Sequence, residues 1–461
     1  MNEDFFEGRE EQELLDRFNQ MLQQGVSYFF DSEEFEIIID HYFEQSNMER
    51  VSMAIKMARR QYPQSTCFKL KRARYLFFIG KSDQALNLLE QIRLFESENP
   101  EMYMLYGQIL SFQNNSNKAI EQFIKAVDHE DYEESASLSI AMEYECLGNY
   151  SKAIEWMKRA FDINPENNRL LSDISFCYEI LEEYDNAAIF FNTYLEENPF
   201  NEVAWLNLGV AYFNMQLFEL AVDAYDYAIA IDSDFSSAYF NKGNALVGLE
   251  QFDEAIESYK EALRLEKNDA LTHFYIGECY ERKMDYETAL HYYHRSVELN
   301  PQNPDVYAGI AVCLSECERN NEALKYIDKA LDFNNKNIEY LSMQAEILLK
   351  TGQFEKACEI YKEITVNDRD NIEVWLDYSN AWIEYGDIEN GLNILRSGVI
   401  LHPENAELKY RMAASLAKDG KLKEAALFFE EALRINPEGY IDAFEYYPQM
   451  KDIHIFTDLI S

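Results

Sequence analysis

The sequence is poor in helix-breaking residues, with 16 Gly and 9 Pro among 461 positions. No Ser/Gly-rich or Pro-rich linker is present, which argues for one continuous body rather than domains on tethers. Basic residues are also scarce: 41 Lys and Arg stand against 84 Asp and Glu, a formal net charge of -43. A phosphate backbone needs Lys and Arg to displace its counterions, so nucleic acid is not expected as a partner. The seven Cys form no CxxC pair, and an odd, scattered set argues against a disulfide framework and for a reducing compartment. No apolar run approaches the roughly 20 residues needed to cross a bilayer. The N-terminus is acidic where a secretory signal is basic. These absences predict a cytoplasmic protein with no membrane association.

Catalytic signatures are missing too. There is no Gly-rich phosphate loop after a strand, no HExxH and no GxSxG. His291 and His294 lie three apart on one helical face, but no third ligand stands at a fixed spacing, so no metal site is expected. Cys313 and Cys317 read as inert thiols. The expectation is a protein that is not an enzyme and carries no cofactor.

What the sequence has is apolar surface and a period. Hydrophobic residues make up 47% and aromatics 14%, enough for an extensive core. From Ser32 the chain repeats every 34 residues, with units beginning at 32, 66, 100, 134, 168, 202, 236, 270, 304, 338, 372 and 406 and no insertion. The eighth position is small in eleven of these twelve units, Ile39 being the exception. The twentieth is Ala in ten, with Val51 and Gly391 as exceptions. Small residues are needed where two antiparallel helices cross closely. Larger ones such as Trp375, Ile310, Tyr178 and Phe429 then fill the space between hairpins. Gly80, Gly148, Gly352, Gly386 and Gly420 fall at position 15, where a helix must end. Pro63, Pro165, Pro199, Pro301, Pro403 and Pro437 fall at position 32, between hairpins.

In the unit starting at Glu202, Trp205, Leu208, Gly209 and Tyr212 spell W-x2-L-G-x2-Y, followed by Ala221 and Tyr225. This resembles the tetratricopeptide repeat. The resemblance implies an all-α fold, a right-handed α-solenoid of twelve 34-residue helical hairpins over 32–439. Residues 1–31 form an acidic segment with a capping helix that carries Leu14, Leu15, Phe18, Met21 and Leu22 and ends near Gly25; residues 440–461 form a closing segment interrupted by Pro448. Ile39 and Val51 predict a different crossing in the first hairpin. Gly391 and Gly398 remove two core side chains from the eleventh and predict a soft or more tightly curved point.

The resemblance also implies a concave groove lined by first helices through positions 2, 5, 6, 9, 12 and 13. In repeats five to eight these supply Asp173, Phe176, Asn207, Phe213, Asn214, Phe240, Asn241, Asn244, Phe274 and Tyr275. Amides there can hold an extended peptide backbone, and aromatics add apolar contact. In repeats eight to eleven the same positions carry Glu278, Glu281, Asp305, Glu316, Glu339, Glu346, Glu373, Asp377 and Glu384, relieved mainly by Arg282 and Lys350. Basic segments are attracted to such a surface. No repeat has Lys at position 5, so the family's clamp for a terminal carboxylate is not carried over. One basic run, Lys69, Lys71, Arg72 and Arg74, faces either an acidic partner or the chain's own acidic N-terminus. The function expected is a protein-interaction scaffold or adaptor that binds peptide segments. The alternative is a regulator whose superhelix changes shape when a ligand binds. Neither the composition nor the repeat fixes an oligomeric state.

Overall fold

The computed structural model describes residues 3–24 and 28–460, so Gly25, where the leading cap is expected to end, lies outside the described residues. Among the described residues every regular element is helical. The chain divides into two compact units, Met1–Ile231 and Asp232–Ser461. Each unit is an α-solenoid of helical hairpins. In the first unit the leading helix of each hairpin runs Ser32–Glu44, Thr66–Phe78, Pro100–Phe112, Glu133–Cys146, Asn168–Ile180 and Glu202–Asn214. In the second these helices are Ser236–Gly248, Ala270–Arg282, Pro304–Glu316, Ile338–Lys350, Ile372–Tyr385 and Ala406–Lys418.

Local chemistry starts and stops these helices. Asn at the residue just before many first helices caps them: the Met102, Ala204 and Leu408 backbone N–H groups donate to Asn99, Asn201 and Asn405 Oδ1 at 2.9, 2.8 and 2.9 Å. At the other end the chain turns through one left-handed residue. The five glycines at position 15 all have positive φ, from 69° at Gly148 to 100° at Gly386. The same position in the other seven hairpins is also left-handed, though it holds Ser46, Asn114, Glu182, Gln216, Glu250, Met284 or Glu318. The turn geometry is therefore set by the hairpin, and seven side chains accept a conformation that costs roughly 1 kcal/mol without glycine. The Lys81 N–H closes one such turn on the Leu76 carbonyl at 2.8 Å, and Lys421 closes another on Leu416 at 2.9 Å.

Inside the hairpins, position 8 meets position 24 of the second helix, and in several of them glycine stands opposite a ring. A Cβ added to Gly107, Gly209 or Gly243 would lie 2.4 Å from the ring of Phe123, Tyr225 or Tyr259. These rings are among the largest fully buried side chains of the protein. Where the ring is replaced by Leu89 or Ile327, the opposing residue is Ala73 or Ala311, also fully buried. In the first hairpin both partners, Ile39 and Ile55, are large, and both are buried. Gly391 does not leave a hole as the sequence suggested. The Ile383 side chain and the Ser379 carbonyl crowd the place of a Cβ at 2.5 and 2.9 Å, so glycine there permits close approach.

The outer hairpins are covered. Phe18 of the helix Glu3–Gln24 packs on Phe30 and Tyr42, with ring centroids 6.0 and 5.9 Å away. At the far end Pro448–Asp452 is a short 3-10 turn between the helices Tyr440–Tyr446 and His454–Ile460. Phe444 stacks on Phe429 and Phe456 meets it edge-on, at 5.8 and 5.2 Å. These contacts bury the stacking face that a terminal repeat otherwise exposes.

Candidate functional site

Core packing consumes one side of each first helix and leaves the other as a surface with its own chemistry. In the first unit that surface is strongly apolar. Phe78, Phe112, Met142, Phe176 and Ile180 are all exposed, at positions 9 and 13 of hairpins two to five. An open cleft of about 330 Å³ beside them is lined by Arg74, Phe77, Phe78, Glu101, Met104 and Leu105. Of the exposed apolar residues, Phe176 alone was expected from the sequence to line the groove. The others could have been found by reading the same positions in hairpins two to four. Asp173, beside Phe176, is drawn toward Arg169 at 3.8 Å.

The basic run of the second hairpin divides in two. Lys71 Nζ pairs with both oxygens of Asp40 at 2.6 and 2.7 Å, and Arg74 lies 4.0 Å from the same carboxylate. The Arg74 guanidinium also sits over the Phe43 ring at 4.9 Å. These two cations are therefore held by the chain's own acidic N-terminal part. Arg72 instead points into a cleft on the other side of the helix.

The amides behave differently from a ladder of free groups. Asn207 is buried, and its Nδ2 donates to the Val203 carbonyl of its own helix at 2.8 Å; Asn214 does the same to Val210 at 3.0 Å. Each still has its carbonyl oxygen and one remaining N–H for a ligand. Phe213 meets Phe218 edge-on at 5.5 Å. In the second unit Asn244 Oδ1 accepts from the Tyr259 hydroxyl at 2.7 Å, which leaves its NH2 available, while Asn241 is half-buried. Phe240 and Tyr275 pack together at 5.6 Å and rest on Tyr259, and Phe274 rests on Tyr293. These aromatics are half-buried and join the core to the surface.

The carboxylates of the second unit fall into two coupled groups, one around Glu278 and Glu281 and one around Glu346 and Asp377. Burial, and then the charge of Glu281, push Glu278 up to about 7, with Arg282 pulling the other way. Burial also raises Glu281, partly offset by the Tyr293 hydroxyl, which donates to its Oε2 at 2.6 Å, and by the Cys313 thiol at 3.8 Å. Asp305 adds its charge to Glu278 and accepts from the Tyr340 hydroxyl. Further along, burial raises Glu346 and Asp377; Asp377 then acts on Glu346, and Glu373 on Asp377. Lys350 reaches Glu316 at 2.8 Å, and Arg411 eases Asp377. Glu339 and Glu384 are exposed, and Glu384 accepts from Asn380 Nδ2 at 3.0 Å. Carboxylates whose proton affinity is raised in this way gain from any cation brought to them.

Neither histidine of the 291/294 pair faces a ligand set: His291 packs on Tyr292 and His294 on Tyr326, at 5.5 and 5.8 Å. Among the described residues no group of three or more His, Cys, Asp or Glu is placed to hold a metal ion. Among them, too, no helix is long and apolar enough to cross a membrane.

The hairpin period, the small-on-large crossings and the helix faces left open define a helical-repeat protein. Models of the tetratricopeptide repeat match at residues 100–128 and 135–167, 203–235, 240–304, 281–347 and 383–440. The chain belongs to the tetratricopeptide repeat family. No curated protein matches it. Among solved structures, a crystal structure of MamA is similar at 23% identity and a TM-score of 0.34, covering 35% of this chain and 95% of that one. YrrB, described as a TPR protein with an unusual peptide-binding site, is similar at 23% identity and a TM-score of 0.35, covering 40% and 95%. Membership of the family makes this chain a protein-interaction scaffold by class.

Proposed function

We propose that the protein binds segments of other proteins along the open faces of its first helices, and that hairpins eight to eleven select a segment rich in Lys and Arg. The observation that carries this reading is the pair of carboxylate groups, Glu278 with Glu281 and Glu346 with Asp377, each of them raised from its ordinary value chiefly by burial. Their burial makes ionisation unfavourable, and an approaching ammonium or guanidinium relieves it. The exposed Phe78, Phe112, Met142 and Phe176 of the first unit give a protein partner apolar contact as well. Asn241 and Asn244 are the amides best placed to meet a peptide backbone, since Asn244 keeps its NH2 free of the bond with Tyr259, while Asn207 and Asn214 each give one N–H to their own helices. The role is one of binding rather than catalysis. Seven free thiols suit a reducing, cytoplasmic setting.

The test is fluorescence anisotropy with a labelled, extended Lys/Arg-rich peptide. Binding is expected to weaken as salt rises. The triple variant Glu278→Gln, Glu346→Gln, Asp377→Asn should lose about ten-fold in affinity with unchanged helicity. Equal affinity of variant and parent at low salt would remove the basis for the reading.

A further inference from the structure

The second cleft of the first unit has the opposite sign from the rest of the molecule. It lies between the helices Met48–Gln61 and Thr66–Phe78 and the turn that follows, with a volume of about 520 Å³. Lys56, Arg59, Arg60, Arg72 and Lys81 line it, and no Asp or Glu does. In a chain with 84 acidic and 41 basic residues, a lining whose charged residues are all basic needs a cause. Among the described residues none of these five cations makes an ion pair, whereas Lys71 and Arg74, on the same helix, are held by Asp40. The Arg59 Nε is buried and has no hydrogen-bond partner. A buried, unmatched donor on a cationic group is costly, and an anion in the cleft would meet it. Burial and the neighbouring Arg72 both lower the Arg59 pKa, as expected for guanidinium groups forced together without a counter-charge.

We propose that this cleft is an anion site for a phosphoryl group carrying two or more negative charges. The forked, planar donors of arginine match phosphate oxygens two at a time, and two arginines converge here with a third beside them. Five cations around a small cleft suit a compact, multiply charged group better than a single carboxylate. The cleft involves position 7 of the second hairpin and the outer helix of the first, not the positions proposed for peptide binding. The two sites are therefore independent.

Calorimetric titration of the full chain with inorganic pyrophosphate, a phosphoserine peptide and the same peptide with Glu for phosphoserine tests the proposal. Arg59→Gln and Arg72→Gln should each weaken phosphoryl binding about ten-fold or more, while Arg434→Gln, on an exposed arginine of the helix Leu422–Ile435, leaves it unchanged. Because the pair repels itself, the ligand-free melting temperature of Arg72→Gln should equal or exceed that of the parent. If Arg72→Gln instead melts lower, the exposed pair Lys56→Gln with Lys81→Gln carries the test, with the same ten-fold loss expected. Pyrophosphate binding without peptide binding assigns a free polyphosphate as the source. Binding of the phosphoserine peptide alone assigns a modified protein. No binding of either at about 1 mM overturns the proposal. So does equal binding of the glutamate peptide, or parental affinity in the cleft variants.

Discussion

Replacing Glu278 by Gln should make the protein more stable and a weaker binder, and the two effects should follow pH in a defined way. The Glu278 carboxyl moves from an ordinary value of 4.5 to about 7, first through burial and then through Glu281. The native state therefore keeps a proton there up to about pH 7, whereas the unfolded chain releases it near 4.5. Between those values the native state binds more protons, so stability falls as pH rises through the window and stays low above it. A displacement of that size corresponds to about 3 kcal/mol in full, and partial exposure with solvent screening reduces it to about 1–2 kcal/mol. Glutamine never ionises. Urea unfolding of parent and Glu278→Gln should thus agree near pH 4, diverge between about 4.5 and 7, and settle at a gain of about 1–2 kcal/mol for the variant above pH 7. Affinity for a Lys/Arg-rich peptide should show the counterpart: the variant binds more weakly at pH 8 and matches the parent at pH 5.5, where the parent carboxyl is protonated. A variant that is less stable at pH 8, or whose gain does not depend on pH, refutes the reasoning.

Three further outcomes test the fold and its surface. Met284→Gly should raise stability by about 0.5–1 kcal/mol in thermal unfolding, because Met284 is exposed and left-handed and gives up little contact. Gly243→Ala should cost about 1–2 kcal/mol, since the new Cβ meets a Tyr259 ring pinned by Asn244 and stacked on Tyr275. Adding Tyr259→Leu should cancel the Gly243→Ala penalty in a double-mutant cycle, as Leu89 already pairs with Ala73. Iodoacetamide should label Cys146 first, because it is exposed while burial pushes the Cys177 and Cys279 thiols up to about 12; peptide mapping after a short pulse reads the order.

The period was legible because the same physical demand recurs every 34 residues, and small residues at position 8 announce it. The left-handed turn was only partly legible. Five glycines mark it, but Glu250 and Met284 adopt it with no compositional sign, because the closing hydrogen bonds of the hairpin outweigh a cost of roughly 1 kcal/mol per turn. Gly391 misled in the other direction: a missing side chain read as lost core is in fact a place where Ile383 and a backbone carbonyl come close. At the site, the acidic positions could be read from register alone. The behaviour of Asn207 could not, because a helical side chain leans back over the preceding turn, where the Val203 carbonyl competes for its donor. The apolar face of hairpins two to five was equally available in the register, but exposed aromatics look like core until the neighbouring hairpins are in place.

The carboxylate field also bears on why the hairpins are packed so tightly. Glu278, Glu281, Glu346 and Asp377 are each less favourable as anions here than in water, and Gln or Asn at those positions would relieve the second unit. Such a field persists only if neighbouring contacts hold it in place. The Tyr293 ring shows the link: its ring edge fills the space beside Gly277 and Gly309, while its hydroxyl donates to Glu281. One residue thus closes a hairpin, packs on the next and presents a carboxylate to the open face. Losing that hydroxyl in Tyr293→Phe removes a group that offsets the burial of Glu281, so the Glu281 pKa should rise further without any change on the surface itself, and NMR titration of the Glu281 carboxyl in parent and variant checks the direction. Gly277 and Gly309 therefore do more than admit close crossing: they seat the Tyr293 ring so that its hydroxyl reaches Glu281 and acts on the charge of the open face.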